Sequence, residues 1–207
     1  MLIEKKGLSY TEPVSNRGVR GPYAKGEERR REILRTAAEV FATEGFEGAA
    51  LKHVAELVGI REATLFHYFS TKQELQQAVL AERDLRVRQD LDQDVDIDDL
   101  PGIAARNEQE PGLTTLYAVA SATASNPVHA SHQYFRERYE LLVADLAVDV
   151  QARQLSGEYR QDIDPAWAAR LLIGVFDGLQ VQWLYDKGVS MQEGLKQAIA
   201  LLKVPEA

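Results

Sequence analysis

The sequence predicts an all-helical protein, on three observations. Apolar residues recur at the three-and-four spacing of a helix face through most of the 207-residue chain. No stretch carries the alternation of a strand, and glycine or proline marks the ends of several periodic runs. A hydrophobic content of 45% is ample for a packed core.

Residues 1–26 mix glycine, proline, serine and charge without an apolar period and are expected to form a disordered arm. A first helix is predicted from about Glu27 to Glu44, with Ile33, Leu34, Ala37, Ala38 and Phe41 on one face, Gly45 as its stop and Phe46 closing a small core. Residues 51–75, LKHVAELVGIREATLFHYFSTKQEL, then read as a helix, a glycine-pivoted turn and a second short helix. Leu51, Val54, Ala55 and Val58 share one face, and Gly59 stands where a left-handed residue ends the helix cheaply. Ile60, Leu65, Tyr68 and Phe69 resume the pattern on a segment too short to bury itself, so it must lie across its predecessor. The face left over, Arg61, Glu62, Ala63, Thr64 and His67, is short-chained or polar and suits entry into a major groove.

Thr71 and Glu74 are spaced as a capping box, opening a fourth helix that runs to about Gln89 with Leu75, Val79 and Leu80 inward. Lys72 in its first turn opposes the helix dipole, a placement that a facing phosphate would explain. Residues 90–112 are acidic and interrupted by Pro101, Gly102, Pro111 and Gly112, so a joint with at most one short helix is expected. Residues 113–126 are apolar nearly all round, as in a central bundle helix. Pro127 is expected to open a long helix to about Leu155, Pro165 another to residue 187, and a last helix covers 190–203.

The motif closely resembles the DNA-binding domain of the tetracycline-repressor (TetR) family. The likeness runs through residues 27–80 and is carried by RREILRTAAEVFATEGFEG and by VAELVGIREATLFHYFSTKQEL. It implies a three-helix DNA-binding domain over 27–88 and a helical ligand-binding and dimerisation domain over 89–207. Carried over by position, Arg61, Glu62, Ala63, Thr64 and His67 would face base edges, with Phe66, Tyr68 and Lys72 at the phosphates. Lys52 and His53 are further phosphate candidates. Two departures stand out: Ala49 and Ala50 replace the usual threonine that opens the second helix, and Phe66 replaces a tyrosine. The resemblance further implies a homodimer on a near-palindromic operator, most simply a repressor released by a small molecule; a helical interaction module that has lost DNA binding is the alternative.

Net charge is -8, which fits a DNA binder only when divided by region. Residues 1–72 carry +2 and the remainder -10, so one end meets phosphate and the body faces away. Arg17, Arg20, Lys25, Arg29, Arg30, Arg31 and Arg35 gather before and within the first helix, either as a solvated lead-in or as an arm along the phosphates. Cysteine is absent, no apolar run reaches 18 residues, and the amino terminus lacks a secretion signal, so a cytoplasmic protein with no membrane partner is expected. No phosphate loop, nucleophile elbow or isolated carboxylate pair is present, and neither catalysis nor a cofactor is expected.

Candidate effector residues are Tyr117, His132, Tyr134, Tyr139 and Phe176, which are either core or cavity wall, and Asp177 and Gln180, polar in an apolar helix and needing partners if buried. His129 and His132 have a chelating spacing but no third ligand on their helix, so no metal is expected. Leu172, Val175, Leu179, Trp183, Leu195, Ile199 and Leu202 make the last two helices more apolar than one buried face requires and are the candidate dimer interface.

Overall fold

A computed structural model describes residues 22–91 and 95–205. Arg17, Arg20 and most of the expected arm lie outside the described residues. The described residues are all-helical: α1 Pro22–Gly48, α2 Leu51–Val58, α3 Glu62–Tyr68, α4 Lys72–Leu91, α5 Leu100–Gln109, α6 Pro111–Thr123, α7 His132–Leu155, α8 Pro165–Tyr185 and α9 Met191–Ala200. Among them a single isolated bridge, Tyr159 to Lys203, is the one extended pairing.

Helix α1 begins at Pro22, five residues before the predicted Glu27, because a proline with fixed φ suits a first turn. Gly45 does interrupt it, at φ 72° and ψ 163°, and the chain resumes one further helical turn before α2. Ile33, Leu34, Ala37, Val40 and Phe41 of α1 meet Val54, Ala55, Leu65, Phe69, Leu75 and Val79 in one core. Leu116, Tyr117 and Ala120 of α6 and Phe135 of α7 enter the same core. A Cβ on Gly112 would lie 2.3 Å from the Ala42 Cβ, so α6 meets α1 at a distance that only glycine permits.

From residue 95 to 112 the chain is more structured than expected. Asp96 caps a 3-10 turn at Ile97–Asp99 by accepting from the Asp98 and Asp99 amides, and ten-residue α5 follows with Pro101 in its first turn. The prolines and acidic residues that suggested a joint are helix-opening signals. Ile97, Leu100 and Ala104 enter a second core with α7, α8 and α9.

Two further expectations are corrected. Helix α7 starts at His132, because the Asn126 side chain accepts from the Val128 amide (3.2 Å) and His129 Nδ1 from the Ser131 amide (3.1 Å), making turns instead of a helix at Pro127. Helix α6 is not buried all round: Thr115, Val119, Ala122 and Thr123 are exposed.

The expected dimer residues also divide differently. Leu172, Trp183, Leu195, Ile199 and Leu202 are buried inside the protomer's second core, and Val175 and Leu179 pack against it. Helices α8 and α9 consume that apolar face in packing on one another and on α5 and α7, which explains their high apolar content without a partner. The exposed apolar residues of α8 lie on its other side, at Trp167, Leu171, Val181 and Tyr185.

Candidate nucleic-acid interface and interior cavity

The turn between α2 and α3 closes as the spacing predicts. Gly59 sits at φ 72°, ψ 33°; its amide donates to the Glu56 carbonyl (3.1 Å) and that of Ile60 to the Ala55 carbonyl (2.9 Å), satisfying the orphan carbonyls at the end of α2. Helix α3 is anchored by Leu65 and, just beyond it, Phe69, both essentially inaccessible. Arg61, Glu62, Ala63, Phe66 and His67 stand exposed on the outer face; Thr64 and Tyr68 are half-buried at its edges. A short helix locked by two inward anchors thus presents a polar outer face whose orientation cannot drift.

The positive charges near this face have unequal freedom. Arg29 is tied to Glu32 (2.7 Å) and to the Val58 carbonyl (3.3 Å), and the Arg30 guanidinium lies 5.1 Å from the Phe69 ring centre, so both brace the turn. Lys25, Arg31 and Arg35 remain exposed on α1. Lys72 Nζ donates to the Glu47 carbonyl at 3.2 Å and sits 4.7 Å over the Phe46 ring. Its place against the dipole of α4 is therefore matched by the carbonyl end of α1, a partner the sequence did not reveal. His53 is likewise engaged, with Nδ1 2.7 Å from Glu44 Oε1, and Lys52, though exposed, pairs with Glu56 one turn on at 3.7 Å.

Ala49 is buried in the core, so a small apolar residue is what that position requires; Ala50 alone stands at the N-cap of α2, where it offers no side-chain acceptor. The amides of Leu51 and Lys52 in that first turn have no side-chain cap, and the turn itself carries no acidic residue. Thr71 Oγ1 accepts from the Glu74 amide at 3.0 Å as the capping box predicts, but Glu74 reaches back to the amide and hydroxyl of Ser70, at 2.7 and 2.6 Å.

Above the reading helix, α4, α5, α6, α7 and α8 enclose a cavity of about 370 Å³. This is within the usual range for small-molecule pockets. Most of its wall is apolar, with Leu100, Ile103, Leu142, Leu146, Leu172 and Phe176 prominent; the other end is polar. There Arg138 grips Asp84 of α4 through Nε (2.6 Å) and Nη2 (3.2 Å) and donates from Nη1 to Tyr117 Oη (3.0 Å). Asp177 accepts from Tyr139 (2.7 Å), Tyr117 (3.3 Å) and the Gln180 amide (3.2 Å). Arg83 donates to Asn107 Oδ1, and its guanidinium stands 5.9 Å from the Tyr117 ring centre.

Burial governs the electrostatics of this end. It raises the Asp177 carboxyl against the pull of Tyr139, Arg138 and Tyr117, pushes Tyr139 up to about 12 with Asp177 adding to the effect, and lowers Arg83 despite Asp84 nearby. Burial opposes the charge on Arg138 too, but Asp84 and Tyr117 together more than offset it and the guanidinium is held well above its ordinary value.

Of the candidate effector residues, Tyr117, Phe176, Asp177 and Gln180 line the cavity. Tyr139 stands behind Asp177, Tyr134 reaches Asp84 (3.5 Å), and His132 Nδ1 lies 2.8 Å from the Ala124 carbonyl at the start of α7, outside the wall. Arg83, Asp84, Asn107 and Arg138 were missed. A signal existed for Arg83, which follows Gln76, Val79 and Leu80 on the inward register of α4, where an unpaired charge needs explaining. Among the described residues no His, Asp and Glu cluster is arranged to hold a metal, and no helix is long and apolar enough to cross a membrane.

Residues 33–79 match the family model described as bacterial regulatory proteins, tetR family. Over 180 residues the chain is 27% identical to the HTH-type transcriptional regulator UidR of Escherichia coli strain K12, covering 82% of this chain and 90% of that protein. A 99-residue alignment at 29% identity relates 48% of this chain to 52% of the HTH-type transcriptional repressor AcnR of Corynebacterium diphtheriae, about half the length of that relative. Among solved structures, a transcriptional regulator from Saccharomonospora viridis in complex with choline matches with a TM-score of 0.66 at 22% identity, covering 84% of this chain and 95% of that one. At that identity the likeness is one of fold.

Proposed function

The chain belongs to the TetR family of DNA-binding transcriptional regulators, and from that premise we propose that it is a cytoplasmic repressor, dimeric on a near-palindromic operator and released by a small molecule in the interior cavity. Members of this family are regulators and not enzymes. The observation that carries the reading is the course of α4. Its first turn is tied by Lys72 to the end of α1 and by Glu74 to Ser70 just beyond the reading helix, its Leu75 and Val79 share the core that seats Leu65 and Phe69, and its residues from Arg83 to Arg88 form one wall of the cavity. Eleven helical residues span about 17 Å, so one rigid rod touches both places. A ligand that favours one position of α4 must then favour one position of Arg61, Glu62, Ala63, Thr64 and His67 relative to DNA, and ligand and operator oppose each other. The choline complex supports small-molecule occupancy of this fold, and the repressor name of the Corynebacterium relative supports the sign.

Pairing is supported by α8. Trp167, Leu171, Gly174, Gly178, Val181 and Tyr185 follow one another at intervals of four, three, four, three and four, the seam along which two helices supercoil. Tyr185 is 92% and Trp167 65% exposed in the protomer, and the two central glycines allow a second copy to approach closely. This seam takes the place of the buried residues first assigned to the interface.

The test is a mobility-shift titration with DNA from beside the protein's own gene, repeated with candidate effectors. Specific binding that one class of small molecule weakens is expected. No affinity for any duplex would return the interaction-module reading, and operator affinity unchanged at saturating ligand would remove the effector mechanism.

A further inference from the structure

Resting on the reading of the cavity as the effector site, we propose that its effector is an organic anion with an apolar body, its acidic group held by Arg83. The other charges lining the cavity have charged or multiple partners, Arg88 pairing with Asp145 at 3.9 Å. Arg138 spends both faces of its guanidinium on Asp84 and Tyr117, and Asp177 accepts from Tyr139, Tyr117 and Gln180. Arg83 is different. It is largely buried and lines the cavity, its one hydrogen-bond acceptor is the neutral Asn107 Oδ1, and among the described residues no carboxylate stands within ion-pair distance, Asp84 and Glu110 acting on it only from further away. A guanidinium carries five N–H donors in a planar fork that matches a carboxylate, phosphate or sulfonate, so most of its capacity is unspent.

Burial of that charge without a counter-ion is unfavourable, and the direction of its shift, lowered by desolvation, agrees with the geometry. An incoming anion relieves this cost without displacing Asn107, which is fixed by Thr114 donating to its carbonyl at 2.9 Å. A cation would meet the positive charge of Arg83, while the cavity's carboxylates, Asp84 and Asp177, already accept from Arg138 and from Tyr139, Tyr117 and Gln180. The rest of the wall, with Leu100, Ile103, Leu142, Leu146, Leu172 and Phe176, accepts an aliphatic or aromatic body. Arg83 also adjoins Asp84 on α4, so an anion drawn to it acts on the helix that directly follows the reading helix and shares its core.

The experiment compares two fluorescent probes of one shape, 8-anilinonaphthalene-1-sulfonate and the uncharged N-phenyl-1-naphthylamine, on the full chain. The sulfonate is expected to bind at least about tenfold more tightly, as a hydrogen bond to a charged group supports, and to be displaced by decanoate but not by decanol or choline. Arg83→Met should abolish the preference while leaving the uncharged probe bound, and Arg83→Lys should restore part of it; thermal melting establishes that both variants fold. Equal affinity of the two probes, failure of both to bind, or a sulfonate preference that survives Arg83→Met overturns the proposal. Operator affinity is measured in parallel. Sulfonate binding at Arg83 that leaves operator affinity unchanged keeps the anion site and removes the effector reading, whereas release by a ligand indifferent to Arg83→Met does the reverse.

Discussion

Arg138 Nε lies 2.6 Å from Asp84 Oδ2, and this contact fastens α7 to the middle of α4 from inside the protein. Both side chains are mostly withdrawn from solvent, so removing one partner leaves a charge without compensation. Asp84→Asn should lower unfolding stability by about 2–3 kcal/mol, and Arg138→Met added to it should recover a large part. Urea unfolding of the single and double variants measures the coupling; strictly additive losses would contradict it. In the same variants, a ligand response that disappears while operator binding survives would identify the pair as the link between cavity and reading head.

Lys72 has two roles in tension. Its ammonium binds the Glu47 carbonyl and the Phe46 ring, yet it stays half-exposed at the amino end of α4 beside the reading helix. Lys72→Ala should cost about 1 kcal/mol of stability through the lost hydrogen bond, weaken specific and random DNA alike, and reduce the slope of affinity against salt by about one ion. An unchanged salt slope would assign Lys72 to structure alone.

The reading helix was legible in the sequence because its determinants are local. Gly59 needs only its own backbone angles, and the spacing of Leu65 and Phe69 states which side faces inward. The polar end of the cavity was not, because its meaning lies in pairs far apart in the chain: Asp84 with Arg138, Tyr117 with Asp177, Arg83 with Asn107. Asp177 and Gln180 stand out as polar residues in an apolar helix, and Arg83 as a charge on the inward register of α4, whereas nothing local sets Arg138 apart from surface charge. The terminal helices misled for a related reason. Periodicity marks the apolar positions of α8 but does not say which are consumed within the protomer, and Leu172 and Trp183 were, while Leu171 and Tyr185 were not.

Sequence preference should reside in the exposed face of α3. Arg61 is exposed at the residue that opens the helix, and Thr64 lies one turn on. Arg61→Ala and Thr64→Ala should each shift the preferred base at one position per half-site, with about 1–3 kcal/mol lost on the original operator and little on random DNA. Selection of bound sequences from a randomised duplex pool reads this directly. Equal loss on both kinds of DNA would show that these residues contact backbone and not bases.

The two faces of α8 and α9 should separate association from stability. Leu171→Asp places a charge on the exposed seam and should shift the protein from dimer to monomer in sedimentation with little change in unfolding per protomer, taking operator affinity with it. Leu195→Ala empties a fully buried site and should cost about 2–5 kcal/mol of stability while the folded fraction remains dimeric. A dimer that survives Leu171→Asp would move the interface elsewhere.

Stability should also depend on pH through Asp177, in the direction opposite to a salt-bridged carboxylate. Burial raises its carboxyl above the ordinary 3.8, the three donors around it notwithstanding. A carboxyl that holds its proton more tightly when folded favours the folded state while protonated, below the unfolded value, and that contribution is lost as pH rises through the folded pKa. The wild type should therefore lose stability relative to Asp177→Asn as pH climbs from about 4, with the difference levelling once Asp177 is fully ionised. Urea midpoints of the two proteins across this range give the difference directly, since other carboxylates cancel. A difference that instead grew in favour of the wild type with rising pH would mean that Tyr117, Tyr139 and Gln180 hold the ionised carboxylate more strongly than burial opposes it, and that Asp177 enters the ligand-free cavity already charged.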